Sequence, residues 1–108
     1  MSTTIDTAQP VVTLINTFTV APERQEELVR ILVEATEEVI RHVPGFVSAN
    51  IHRGLDGRHV ANYAQWRSRD DFEAMLRDSV AREHMGRAGA LAQFEPLLYE
   101  VVETIGTT

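Results

Sequence analysis

The segment Asn62-Tyr63-Ala64-Gln65-Trp66 holds the single tryptophan of the chain and alternates as a strand does. Successive side chains of a strand point to opposite faces, so Asn62, Ala64 and Trp66 share one face while Tyr63 and Gln65 share the other. The amide and the indole then point the same way, roughly 13 Å apart at the usual rise per residue. Asn16 has the matching parity in an earlier strand, where Leu14, Asn16 and Phe18 share a face. Asparagine is depleted in strands, and a buried amide without a partner is costly. Such a face can bind and orient a ligand, or it can pack a core with each amide bonded inside the chain. Two histidines are placed to move protons near neutral pH. His52 lies on a face with Ser48 and Asn50, where solvent exposure is the plain structural reading. His84 lies on a helical apolar stripe with Val80 and Ala88, where a satisfied core histidine is the plain reading and a pocket base the functional one.

The elements that must position these residues are legible in order. Val11 to Val20 reads as a strand, rich in β-branched residues and aromatics. Pro22 suits the first turn of a helix, with Glu23, Glu26 and Glu27 at the positive end of its dipole. Leu28, Ile31, Leu32, Ala35, Val39 and Val43 recur at helical spacing, which predicts a helix to about His42, stopped by Pro44-Gly45. Phe46 to Leu55 reads as a second strand, with Val47, Ala49 and Ile51 on one face. Asp56-Gly57 signals a two-residue hairpin, and Arg58 to Trp66 is the third strand. Ser68 and Asp71 have the spacing of a capping box and open a second helix carrying Phe72, Met75 and Leu76. Ser79 marks a break or a fresh start. The stretch Phe94 to Ile105 is the last strand, beginning around Pro96.

The predicted order is β-α-β-β-α-β. This is the α+β, ferredoxin-like arrangement: a four-stranded antiparallel sheet with two helices on one face. The other face, with Thr13, Ile15, Thr17, Tyr63 and Gln65, is left open and half apolar. An open face of that kind predicts a homodimer packed sheet against sheet. Residues 1–10 are expected to be a flexible tail and 11–105 a single domain.

Composition narrows the function. The chain has 108 residues, 44% hydrophobic and 24% charged, with a net charge of -6, as expected of a soluble globular domain. The acidity argues against nucleic acid and anionic membrane as partners, since both require a basic face. With no cysteine, disulfides, thiolate catalysis and thiolate metal sites are excluded, and a reducing cytoplasm fits. No long apolar run predicts a membrane span, and Met1 to Gln9 lacks the apolar core of a signal peptide. No P-loop, dinucleotide fingerprint or nucleophile elbow is present. None of the four histidines falls in an H-x-x-x-H pair, so no metal site is expected.

Three segments together carry a family resemblance: Leu14-Ile15-Asn16-Thr17-Phe18, Pro44-Gly45-Phe46 and Asn62-Tyr63-Ala64-Gln65-Trp66-Arg67-Ser68. With the element order, they resemble the antibiotic biosynthesis monooxygenase family of dimeric α+β barrels, over about Val11 to Glu103. The Pro-Gly-Phe turn and the strand tryptophan specify the fold more than the chemistry. The combination of Asn16, Asn62 and Trp66 is similar to that of the oxygenases that turn anthrones into anthraquinones in aromatic polyketide pathways. The resemblance implies a small aromatic substrate and O2, and no flavin, haem or metal. Asn16 and Asn62 would hydrogen-bond one phenolic or carbonyl oxygen and stabilise the anion formed as a proton leaves. Trp66 would stack on the substrate, donate its N–H or exclude water. His52, Phe72, His84 and Met85 are the further candidate substrate contacts.

The chain departs from the family pattern on its second helix. Relatives can present a basic side chain to the pocket there, and an ungapped count from Trp66 puts Met85 at that place. Phe72 stands where a tyrosine can occur. His84 is the remaining candidate for moving a proton. Two other functions share the fold: a small-ligand-binding or stress-related barrel without catalysis, and a haem-binding or haem-degrading barrel with His84 as axial ligand.

Overall fold

β1, Val12–Val20, runs through the centre of the sheet. Pro22 starts a turn of 3-10 helix, Pro22–Arg24, which leads into α1, Gln25–Glu38. The chain then forms β2, Phe46–Arg53, and β3, His59–Trp66. α2, Arg69–Arg77, and α3, Ser79–Leu91, follow, and β4, Ala92–Tyr99, closes the fold. This computed structural model describes residues 2–107. All strand pairs are antiparallel and the sheet order is β2-β3-β1-β4, the ferredoxin-like topology expected from the sequence.

The helices bury their apolar stripes on one face of the sheet in two neighbouring clusters. Leu14, Ala64, Trp66, Phe72, Met75 and Ala81 form one. Phe18, Val20, Leu28, Val60 and Ala88 form the other. Burial of this apolar surface is the main favourable term in folding. Gln25 ties the start of α1 to the β2–β3 loop, its Nε2 donating to Gly54 O and His59 O, both at 3.0 Å.

The structure corrects several sequence-based boundaries. The first helix ends at Glu38 and the chain resumes as a 3-10 turn at Ile40–His42. There Val39 and Ile40 turn onto the first core cluster. The break expected at Ser79 is kept: α2 ends at Arg77 and α3 starts at Ser79. Ser68 caps α2 by accepting from Asp71 N at 3.1 Å, and Asp78 caps α3 by accepting from Ala81 N at 2.8 Å. The hairpin loop is longer than the predicted two residues. Gly54 N donates to His59 O at 2.8 Å, so Leu55 to Arg58 form the loop, and Asp56 Oδ1 accepts from Arg58 N inside it. β4 starts at Ala92 and ends at Tyr99, before the expected Ile105.

β2 carries a bulge between Phe46 and Ser48. An extra residue in a strand reverses parity beyond it. Phe46 and Ala49 therefore both face the helices, and Val47, expected inward, is 42% exposed. The turn that leads into this bulge depends on Gly45. Its φ is +90°, and a Cβ there would lie 2.3 Å from Asp71 Cβ. Gly45 O also accepts from Arg67 N at 2.7 Å. The Pro44-Gly45-Phe46 turn is thus pressed against the start of α2.

On the open sheet face Gln65, 1% exposed, accepts from Ser48 Oγ at 3.0 Å and donates to Thr4 O at 2.7 Å. Asn50 Nδ2 donates to Thr3 Oγ1 and, at 3.0 Å, to Tyr63 O. Thr3 and Thr4 thus lie against this face.

Candidate active site

Between the helices and the sheet lies a cavity of about 100 Å3, where roughly 10–15 Å3 suffices for one water. The pairing of the strands explains it. Ile51, Asn62, Asn16 and Pro96 form one row across all four strands. Ala49, Ala64, Leu14 and Leu98 form the adjacent row. The two alanines are small, so the floor is low where they sit. Trp66 bounds the floor on one side and Asn62 on the other, with Leu32, Ala35 and Thr36 of α1 and Met75, His84 and Met85 of α2 and α3 among the residues around it.

Asn16 and Asn62 are directly opposite each other in the β1–β3 register. Both line the cavity, and the Oδ1 atom of each is buried without a hydrogen-bond partner among the described residues. Asn16 is 5% exposed. A buried acceptor left unpaired costs about 1–3 kcal/mol, so the usual structural explanation for an inward asparagine, a bond within the chain, does not account for these oxygens. A donor that enters the cavity, such as the O–H or N–H of a ligand, does.

Trp66 is 1% exposed and held edge-on by two phenyl rings. Phe46 lies at 5.6 Å and 89°, and Phe72 at 6.0 Å and 67°. These are favourable arrangements for aromatic quadrupoles. The indole is both a core residue and one wall of the cavity.

The sequence candidates are partly brought together. Asn16, Asn62, Trp66, Phe72, His84 and Met85 all line the cavity. His52 does not and is corrected here. Its ring is exposed on the opposite face of the sheet, with Nδ1 3.0 Å from Asn50 O, because its parity in β2 is opposite to that of Ala49 and Ile51. Thr36, Phe94 and Pro96 were missed. Thr36 lies one helical turn beyond Leu32, a signal available from periodicity, and its Oγ1 donates to Leu32 O at 2.8 Å. Phe94 and Pro96 enter only because β4 pairs with β1, which places Pro96 opposite Asn16 and Phe94 opposite Phe18. The Phe18 and Phe94 rings are 5.8 Å apart. Leu76, Phe94 and Pro96 line the cavity yet remain exposed, and so mark its mouth.

The ionised groups with shifted titration lie outside the cavity. Hydrogen bonds from Arg67, and then from Ser68, hold the Asp71 carboxyl below its ordinary value. Arg53 does the same for Glu26. Among the described residues no group of three or more His, Asp or Glu side chains is placed to hold a metal ion.

The sequence profile of the antibiotic biosynthesis monooxygenase family matches residues 11–86. The tetracenomycin-F1 monooxygenase of Streptomyces glaucescens is 46% identical over 105 residues, covering 97% of this chain and 94% of that protein. Among solved structures, the monooxygenase ActVA-Orf6 of Streptomyces coelicolor, in complex with nanaomycin D, superposes with a TM-score of 0.82 at 28% identity, covering 95% of this chain and 99% of that one. An asparagine-to-alanine mutant of SnoaB, a cofactor-independent oxygenase from Streptomyces nogalater, superposes with a TM-score of 0.78 at 26% identity over 90% of this chain and 98% of its own.

Proposed function

The chain belongs to the antibiotic biosynthesis monooxygenase family, and we propose that it oxidises the methylene carbon of an anthrone, or the corresponding position of a phenol, to a quinone carbonyl with O2. It is a monooxygenase of the aromatic polyketide type, similar to the tetracenomycin-F1 enzyme and to a cofactor-independent oxygenase. These relatives do not favour the haem-binding or the non-catalytic reading.

One observation carries the assignment to this site: two unpaired amide oxygens, opposite each other in an apolar cavity beside Trp66. An asparagine amide offers both an acceptor and two donors. In the substrate complex the oxygens accept from phenolic O–H groups. As the substrate loses a proton, the amide N–H groups stabilise the oxyanion in a medium where such bonds are strong. The electron-rich anion passes an electron to O2, and the two radicals combine at carbon. Loss of water from the resulting hydroperoxide leaves a carbonyl. In sum, a CH2 group and O2 become C=O and H2O, and the substrate supplies every electron. Phe46, Trp66 and Phe72 keep the reacting carbon dry, which protects the reduced oxygen from wasteful protonation.

The open sheet face supports a homodimer. Tyr63, Ile15 and Leu97 form a row across it, and Leu97 and Tyr99 are exposed there. Among the described residues no helix is long and apolar enough to cross a membrane; a cytoplasmic enzyme is our reading of a chain without cysteine.

Oxygen uptake by chelator-treated protein with a tricyclic anthrone tests the activity. Stoichiometric uptake with formation of the anthraquinone is expected. No turnover across anthrones and phenols would overturn the reading.

A further inference from the structure

The proposed reaction moves two protons from carbon to oxygen and so needs a group that accepts and returns them. Of the described side chains that line the cavity, His84 alone is ionisable. Its other polar groups are those of Asn16, Thr36, Asn62 and the Trp66 indole N–H, and no amide, hydroxyl or indole is basic enough to take a proton from an anthrone. Phe72 has no hydroxyl, and Met85, next to His84 on α3, has only a weakly accepting thioether. Histidine is the side chain best matched to proton transfer near neutral pH.

Position supports the same role. His84 is half-buried, so its ring meets both the cavity and the solvent side of α3. A group so placed can serve the substrate and still exchange protons with water. α3 itself is fixed from two sides, by the Asp78 cap at its start and by burial of Ala81 and Ala88 beneath it. Ala81 and Ala88, three residues before and four after His84, are the small residues that let this face approach the sheet.

We infer that His84 is the proton carrier of the reaction; the inference rests on the cavity being the oxygenase site. A neutral imidazole nitrogen takes the first proton from the substrate CH2, leaving the anion held by Asn16 and Asn62. After the anion and O2 have combined, the imidazolium returns that proton to the distal peroxide oxygen. The imidazole then removes the second carbon proton as the C=O bond forms and the O–O bond breaks. It passes that proton to the departing hydroxide, which leaves as water. Histidine ends as it began, and two protons have moved from carbon to oxygen. This places on α3 the task for which Met85 and Phe72 carry no suitable group.

The test uses the full chain with a tricyclic anthrone. In H84A, kcat should fall at least about 100-fold, the low end for a general base, with KM changed far less. Added imidazole should restore part of kcat. H84Q keeps the polar contact without the basicity and should be as slow as H84A. H52A, whose ring is on the open face, should keep the wild-type rate. Mixing without oxygen gives a second readout: wild type should generate the long-wavelength absorbance of the substrate anion, and H84A should generate it only when imidazole is added. Wild-type kcat in H84Q, or a slow H84A that imidazole does not rescue and that still forms the anion, would overturn the role of His84. A wild-type protein that neither consumes oxygen nor forms the anion would instead overturn the oxygenase reading. If H84A does not fold, the comparison of H84Q with wild type decides.

Discussion

Asn16 and Asn62 are cross-strand partners in the β1–β3 ladder, and the amide oxygen of each is buried without a hydrogen-bond partner. Directly opposed residues in antiparallel strands have Cβ atoms about 4.5–5.5 Å apart. Two side chains so close can bond each other, yet these leave both acceptors free. The pair is therefore preorganised for an incoming donor, at a standing cost in stability of about 1–3 kcal/mol for each unpaired group.

This cost separates catalysis from structure. Asn16→Ala and Asn62→Ala should each lower kcat/KM for anthrone oxidation by about 100-fold or more, as loss of a charge-stabilising donor does. Neither should lower the thermal midpoint by more than a few degrees, because each variant removes an orphaned polar group. Calorimetry beside oxygen uptake checks both halves. A large loss of stability with little loss of rate would mark the amides as structural.

Gly45 should tolerate no side chain. Alanine there faces both a left-handed backbone and a Cβ contact with Asp71 at 2.3 Å. The strain is about 1–2 kcal/mol, and overpacking adds about 1–3 kcal/mol. G45A should therefore lose at least about 2 kcal/mol, read as a lower urea midpoint at unchanged slope. The loss should also disturb the Phe46–Trp66 contact, visible as a change in tryptophan fluorescence.

Acid should weaken the start of α2. Arg67 grips Asp71 with two bonds, at 2.8 and 2.9 Å, and the folded-state pKa of Asp71 is depressed. A depressed carboxyl contributes stability that is present above its unfolded value, about 3.9, and is lost as pH falls through the lower folded value. R67M should therefore be less stable than wild type above about pH 4. Unfolding curves across the acid range should show this difference shrinking below that pH. The pair is solvent-exposed, so the effect should be small and reduced by salt.

The open face predicts association. Sedimentation of the wild-type chain should give a dimer. Leu97→Arg together with Tyr63→Arg should give a monomer, since each places a charge in the central row of the face. A wild-type monomer at micromolar concentration would refute the interface.

Much of the site is legible because strand parity is local. Alternation alone assigns Asn16, Asn62, Ala64 and Trp66 to one face, and the structure keeps that assignment. Helical spacing assigns Phe72 and Met75 inward for the same reason. The failures occur where distant segments intervene. The β2 bulge reverses Val47 because Phe46 must reach Trp66, and nothing in the local pattern announces it. The loop Leu55 to Arg58 is longer than its Asp-Gly signal suggests, since Asp56 bonds within the loop and Gly54 and His59 close it. Phe94 and Pro96 become site residues only through the β4–β1 pairing.

Backbone geometry acts over a few residues, so the sequence by itself determined the order of elements, the inward faces of β1 and β3 and the residue types available for chemistry. Register and neighbourhood arise between segments far apart in the chain, and only the tertiary structure decided those. It set Asn16 against Asn62, left their oxygens unpaired and sent His52 to the other face. It also made His84, among the described residues, the one ionisable side chain of the cavity.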